Sequence, residues 1–300
     1  MISSEILRQH IPVMPDETIN YLNCQSEGVY IDGTIGLGGH SEKILESTAK
    51  GTVLIGIDLD SECLAIARER LSRFGDRVLL VQGNFCDMDL ILKERGYKDV
   101  QGILLDIGMN SYHLLQKKRG FSFKDAEDAS LDMRFDKDRG PAAADIINRY
   151  RQNELEKIFR DYGEERWSGR IARAIVRERK KEKIATVGRL VQIVLSAIPN
   201  LRSRPRIHPA TRTFQALRIE VNRELDNLRN ALDTAIDCMH KGGRLCVISF
   251  HSLEDRIVKH KFKEAPGLKI ITKKPLIASS EEKAENPRAR SAKMRVAERC

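Results

Sequence analysis

VYIDGTIGLGGHS, residues 29–41, is the stretch on which the fold turns. Val29 to Ile35 reads as a short β-rich run entering a glycine turn, and Ser41 to Leu45 begins a helix. A strand that passes to a helix through glycines lies at the carboxyl end of the strand, where an open parallel sheet binds its ligand. Glycine there lets backbone approach a ligand that a β-carbon would hold off. The turn lacks the G-x-G-x-x-G spacing and no G-K-[ST] follows it, so nicotinamide dinucleotides and nucleoside triphosphates are disfavoured.

The same alternation continues on the C-terminal side. Thr52 to Leu59 (TVLIGIDL) is a second buried strand, followed by a helix whose Leu64, Ala67, Leu71 and Phe74 share one face. Arg77 to Gln82 and Gly102 to Ile107 supply two more strands. Strands that alternate with helices imply a parallel sheet covered on both faces, because parallel neighbours need crossover connections. From Tyr112 the pattern changes to charged helices. Leu155, Ile158, Phe159 and Tyr162 form one apolar face, Trp167, Ile171, Ala174 and Ile175 a second, and Val187, Leu190, Val191, Val194 and Ile198 a third. No convincing strand interrupts them, so this region reads as a helical insert that ends in the proline- and arginine-rich segment Leu201 to Pro209.

Beyond it, Phe214, Leu217, Val221, Leu225, Leu228 and Leu232 predict one long helix from about Thr213 to Met239, stopped by Gly242 and Gly243. Arg244 to Phe250 is a core strand, Ser252 with Asp255 reads as a capping box, and Leu268–Lys273 and Ala292–Ala297 are closing strands. Seven strands with a late antiparallel pair point to an α/β, Rossmann-like methyltransferase sheet rather than two consecutive dinucleotide halves. The expected division is residues 1–111 with 206–300 for the sheet domain and 112–205 for the insert.

Lys and Arg outnumber Asp and Glu by 52 to 43 in 300 residues, a net charge of +9. That balance favours an anionic partner, nucleic acid before membrane, since no lipid-anchoring feature accompanies it. The apolar run Leu190 to Leu201 contains Gln192, Pro199 and Asn200 and is too short to span a bilayer. The N-terminus, with Glu5, Arg8, His10 and Pro12, has no apolar signal core, so a cytoplasmic location is expected. Six cysteines without a C-x-x-C pair read as reduced thiols, and no metal site is expected. Three basic clusters stand out: Arg166, Arg170, Arg173 and Arg177 with Arg179 to Lys183; Arg202, Arg204, Arg206 and Arg212; and Arg288, Arg290, Lys293, Arg295 and Arg299. They suit phosphate contacts, although Glu164, Glu165, Glu178 and Glu182 are near enough in sequence to neutralise part of the first.

Asp58 ends the second strand twenty residues after Gly38, where an acidic side chain can accept both hydroxyl protons of an adenosine ribose. Asp60 and Ser61 are better placed to cap the following helix. Glycine turn and strand-end acid together argue for a nucleoside-containing cofactor, with Phe85 placed to lie on an adenine face.

IDGTIGLGGHS (31–41), RGFSF (119–123), LDMRFD (131–136), YGEERWSGRIARAIV (162–176), HPATRTFQALRIEVN (208–222), GGRLCVISFHSLEDRIVK (242–259) and NPRARSAKMRVAE (286–298) closely resemble, in the same order, the bacterial family of 16S ribosomal RNA cytosine-N4 methyltransferases. The resemblance covers nearly the whole chain. It implies a class I methyltransferase sheet with an inserted helical domain for RNA recognition, S-adenosyl-L-methionine as cofactor, and 16S ribosomal RNA in the small subunit as substrate. The implied cofactor contacts are Gly38, Gly39, His40, Asp58, Phe85, Asp106 and His113, the last standing where the family usually has Gln. The chain also departs from the family's D-L-G-V-S-S at Asp106 to Ser111 and from its D-G-P at Asp128 to Ser130.

The implied reaction is attack of the exocyclic cytosine nitrogen on a sulfonium methyl group. That nitrogen is a poor nucleophile, because its lone pair is delocalised into the ring. Acceptors for its hydrogens would help, and the candidates are Asp106, Asn110 and Ser111 after the fourth strand and His251 in the loop after the fifth. Two readings compete. A nicotinamide-dependent dehydrogenase requires the glycine spacing that is absent, and a non-catalytic RNA-binding assembly factor with the same fold would fail to bind the cofactor in calorimetry.

Overall fold

The strands are β1 (Val29–Asp32), β2 (Val53–Asp58), β3 (Val78–Gln82), β4 (Val100–Asp106), β5 (Met239–Ser249), β6 (Leu268–Ile270) and β7 (Lys293–Arg299). In the computed structural model, which describes residues 11–24, 27–115, 117–123, 128–199 and 207–300, they form one sheet of order β3-β2-β1-β4-β5-β7-β6. The first five run parallel, and β7 is antiparallel to both β5 and β6. This is the predicted α/β sheet with its late antiparallel pair.

Strand alternation divides the core between the two faces. Ile31, Ile55, Ile103 and Leu245 pack with Leu228, Leu232 and Phe262, and Tyr30, Leu54, Leu104 and Cys246 pack with Leu22, Ile44 and Leu71. Burial on both faces is why runs such as TVLIGIDL are apolar without interruption. From β1 the sheet grows to β2 and β3 on one side and to β4 and β5 on the other, so a crevice opens between the carboxyl ends of β1 and β4.

The chain divides into two compact units, Met1–Tyr112 with Leu225–Cys300 and His113–Glu224. The second therefore closes at Glu224 rather than at the expected residue 205. The reason is a break in the helix predicted over 213–239, which is two helices, Thr211–Asn222 and Glu224–Cys238, separated by Arg223 in the left-handed region at φ 50°. Asn222 draws the first helix to its own unit: its side chain donates to the Met133 carbonyl at 2.8 Å and accepts from the Phe135 amide at 2.8 Å. Arg218 and Glu224 then close the unit as a two-point ion pair at 2.8 and 3.1 Å.

Two local elements depart from the sequence pattern. The second helix ends at Cys238, and Gly242 and Gly243 lie inside β5, where the pairing with β4 shifts register between Val100 and Gly102. A β-carbon on Gly243 would come within 2.8 Å of the His240 carbonyl and 3.0 Å of that of Val100. The glycine is therefore needed for the irregularity, not as a helix stop. The helix Ser252–Glu264 is capped by His251 with Glu254, not by Ser252 with Asp255.

In the second unit the helices Gln152–Asp161, Ser168–Glu178 and Val187–Ala197 bury the predicted faces, Leu155, Ile158 and Phe159, then Ile171, Ala174 and Ile175, then Val187, Leu190 and Val194. Among its described residues there is no strand, only an isolated bridge between Ser130 and Thr186. Two resembling motifs meet here. Phe121 and Phe135 stack at 5.5 Å, and Arg119 lies over Phe121 and donates to the carbonyls of Arg134 and Phe135. No described helix is long and apolar enough to cross a membrane.

Candidate active site

The glycine turn is stitched to the strands on either side of it. Gly33 donates to the Leu104 carbonyl and Ile35 to that of Ile57, at 2.9 and 3.0 Å. Gly36 and Gly38 take φ values of 51° and 78°, which β-carbons disfavour. The space beyond them is occupied by protein: a β-carbon on Gly38 would meet Leu71 at 3.3 Å, one on Gly39 would meet Pro12 at 3.3 Å, and one on Gly36 would meet the Asn110 amide nitrogen at 3.3 Å. Gly38 and Gly39 thus serve backbone geometry and helix packing. Gly38 caps the helix Gly39–Ser47 with no side-chain bond to its amides.

Asp58 sits at the carboxyl end of β2. One carboxylate oxygen accepts from the Gly36 amide and the other from the Asp60 amide, both at 2.9 Å, so the acid ties the glycine turn to the end of its own strand. Each oxygen keeps a second lone pair for a ligand. Burial pushes its pKa up to about 7 against those two amide bonds. Asp60, as expected, caps the next helix by accepting from Glu62.

Asp32, at the end of β1, has nothing in its sequence spacing to single it out. It is buried, accepts from the Ser41 hydroxyl at 2.7 Å and the Thr34 amide at 3.3 Å, and burial raises its pKa against the His40 charge and the Ser41 bond. Asp106 ends β4 across the crevice, its amide donating to the Thr34 hydroxyl at 2.7 Å. One of its carboxylate oxygens lies 3.9 Å from His40 Nδ1, while the other, Oδ1, is buried without a hydrogen-bond partner. Burial raises the Asp106 pKa, the charges of His40 and Arg288 oppose the rise, and Glu254 reinforces it. His40 is held in place by its Nε2, which lies 2.8 Å from the Val13 carbonyl and must donate to it.

The loop after β5 is built around Glu254, which is fully buried and accepts from the amides of Phe250 and His251. His251 accepts from the Glu254 amide through Nδ1 at 3.4 Å, and its Nε2 lies 3.0 Å from Glu254 Oε1. Its observed contacts are those of a helix cap. Asn110 faces the glycine turn, its amide 3.1 Å from Cys63 Sγ. Phe85 follows β3 and packs half-buried against the core beside Gly33. Ser111 begins the helix Ser111–Leu115, and its side chain lies outside the described part of the structure. His113 belongs to the second unit, buried with its ring 5.0 Å from those of Phe121 and Phe135.

The basic clusters separate into different roles. Arg166, Arg170 and Arg173 are exposed, and the first two lie over the Trp167 ring at 4.9 and 5.0 Å. Glu178 takes up Arg177, Lys181 and Arg189 at 3.1, 2.9 and 3.0 Å. Arg179 donates to the Ile147 carbonyl and Arg212 to that of Glu164, while Arg202, Arg204 and Arg206 lie outside the described residues. In the C-terminal cluster Arg295 is buried in an ion pair with Asp255 at 2.6 Å, and Arg288 donates to the Met109 carbonyl at 3.0 Å. Within that cluster Arg295 and Arg288 are thus engaged inside the protein, whereas Arg290 is exposed.

The site is consistent with S-adenosylmethionine on two grounds. The carboxylate at the end of β2 has lone pairs to spare, and a buried, unpartnered carboxylate oxygen stands across the crevice from an uncapped helix start. A model of the MraW methylase family matches residues 7–300. The chain is 48% identical to the "Ribosomal RNA small subunit methyltransferase H" of Pelobacter propionicus, over 97% of this chain and 98% of that one. With the proteins of the same name from Syntrophotalea carbinolica and Geobacter sulfurreducens it shares 47% identity over the same fractions of each.

Proposed function

The chain belongs to the MraW methylase family, and we propose that it transfers a methyl group from S-adenosylmethionine to the N4 amino group of a cytidine in the 16S ribosomal RNA of the small subunit, in the cytoplasm. The observation that carries this reading is the acid arrangement at the switch point, with Asp58 at the end of β2 and Asp106, with its unpartnered Oδ1, at the end of β4. A non-catalytic assembly factor needs Asp58 only for its bonds to Gly36 and Asp60 and has no use for a buried, unpartnered Asp106 oxygen.

S-adenosylmethionine, when bound, supplies a methyl group on a sulfonium, whose carbon–sulfur bond breaks with both electrons staying on sulfur as the nitrogen–carbon bond forms. Asp58 holds the ribose hydroxyls through its remaining lone pairs and, through Gly36, keeps the glycine turn in register. The uncapped amides at the start of the helix Gly39–Ser47 favour a carboxylate. Asp106 Oδ1 accepts a hydrogen of the attacking amino group and then takes the proton that the methylated nitrogen must lose. Burial makes this carboxylate a stronger base than an exposed one. His40, held by the Val13 carbonyl, places its Nδ1 3.9 Å from the other Asp106 oxygen. Most of the acceleration comes from positioning, since the leaving group is already good.

Exposed Arg170 and Arg173 in the second unit are assigned to RNA phosphates, with Arg177 weakened in that role by its pairing to Glu178. With labelled S-adenosylmethionine, the purified protein is expected to methylate small-subunit RNA far faster than free cytidine, because a target base must be presented unstacked. Replacing Arg170, Arg173 and Arg177 by Ala should weaken subunit binding and flatten its dependence on salt, by roughly 0.7 to 0.9 in logarithmic slope for each phosphate no longer neutralised. Cofactor affinity should stay the same. An unchanged slope would assign these arginines to the protein's own surface.

A further inference from the structure

Arg288 stands in a basic run, yet its side chain is engaged within the sheet unit. Its Nη2 donates to the Met109 carbonyl at 3.0 Å, so it holds the loop that follows Asp106. Its guanidinium lies 5.6 Å from the centre of the Phe250 ring, in the loop after β5, and its backbone amide donates to Asn286, whose side chain donates in turn to the Ile11 carbonyl. The residue therefore bridges the two loops that flank the carboxyl ends of β4 and β5. Its Nη1 is buried without a hydrogen-bond partner, and so is Asp106 Oδ1. The two residues are near enough for the Arg288 charge to act on the Asp106 carboxylate. An orphaned buried donor and an orphaned buried acceptor on neighbouring charged groups are costly, and a ligand that satisfies both is favoured by what each lacks.

We propose that Arg288 is a specificity-determining residue which, together with Asp106, reads the N4–N3 edge of the target cytosine, a reading that rests on the methyl acceptor proposed above. Cytosine presents a donor at N4 beside an acceptor at N3. Asp106 Oδ1 accepts from N4–H, and Arg288 Nη1 donates to N3. Uracil presents the reverse, an acceptor at O4 beside a donor at N3, so both protein atoms would face groups of their own kind and stay unpaired. A site that hydrogen-bonds its substrate in this way rejects the mismatched analogue far more strongly than an apolar pocket does. The bond to N3 draws electrons into the ring at some cost in nucleophilicity, and it makes the N4 hydrogens more acidic, easing the loss of the proton to Asp106.

The test uses small subunits reconstituted with cytidine or 3-deazacytidine at the methylated position, the analogue keeping the N4 amine and losing only the N3 acceptor. Wild-type protein should lose at least tenfold in kcat/KM on the analogue. Arg288→Met should lose a similar factor on cytidine and no further factor on the analogue, and Arg288→Lys, which restores a donor, should recover part of the loss on cytidine alone. Cofactor affinity by calorimetry should stay within about twofold for both variants, and Arg288→Lys with a wild-type melting curve carries the comparison if Arg288→Met is unstable. Independent, multiplying losses from the substitution and the analogue would overturn the proposal, as would a wild-type enzyme indifferent to N3. Failure of the wild type to methylate N4 in any subunit would instead overturn the proposed function.

Discussion

Asp58→Ala is expected to weaken S-adenosylmethionine binding at least tenfold. Hydrogen bonds to a charged group are worth about 1.5 to 3 kcal/mol each, and every tenfold in affinity is about 1.4 kcal/mol, so losing even one bond to the ribose meets that threshold. The substitution also removes the acceptor shared by Gly36 and Asp60, which loosens the turn. Asp58→Asn, which retains one acceptor oxygen, should fall between the two. The pKa of about 7 adds a pH signature. Since the folded protein raises this pKa, the stability that Asp58 contributes is complete below the unfolded value of about 4 and is lost as pH rises through about 7. Cofactor affinity should move the opposite way, strengthening from pH 6 to pH 8 as the carboxylate ionises. Asp58→Asn should lose this pH dependence, and without cofactor its melting temperature should compare more favourably with the parent's at pH 8 than at pH 6. Calorimetry across that range checks both; unchanged affinity in Asp58→Ala with an intact melting curve would remove the ribose assignment.

The second large effect is on turnover. Asp106→Ala should lower kcat by about a hundredfold or more, within the range attributed to general acid–base groups, and should also cost some cofactor affinity. Asp106→Asn keeps the shape and an acceptor oxygen but cannot take up the proton, so its kcat should fall nearly as far with cofactor affinity better preserved. Asn110→Ala should reduce turnover more modestly, with cofactor affinity nearly unchanged, because Asn110 lies in the loop after β4 beside Met109, which Arg288 holds. Single-turnover rates with saturating cofactor separate these cases. A full-rate Asp106→Asn enzyme would pass the proton acceptor's role elsewhere.

Periodicity and spacing encode the part of the fold that is legible in the sequence. The uninterrupted apolar runs mark the parallel strands, and the glycine turn with Asp58 marks the cofactor end of the crevice. The break at Arg223 is not legible, because the apolar line from Phe214 through Val221 to Leu225 and Leu232 keeps helical spacing across it. What decides the break is Asn222 bonding to Met133 and Phe135, partners far away in sequence. His251 stands out in the sequence as a candidate site residue, whereas Glu254, three residues on, organises that loop from full burial. Arg288 is hidden in a basic run that reads as a phosphate surface, and only its bond to Met109 and its closed-off Nη1 distinguish it from its neighbours. Asp32 is in plain view as the first residue of the turn. Its bond to Ser41 crosses the whole glycine loop, and no spacing rule announces it.

The identity of the methylated atom decides which reaction the site performs. Small subunits from cells lacking this protein, incubated with the purified protein and labelled S-adenosylmethionine, then digested to nucleosides and resolved by mass spectrometry, test it directly. Label is expected in N4-methylcytidine from a single position of the 16S RNA. Label on C5 of cytosine, on a ribose oxygen or on adenine would contradict the site chemistry, and no transfer despite tight cofactor binding would contradict catalysis itself.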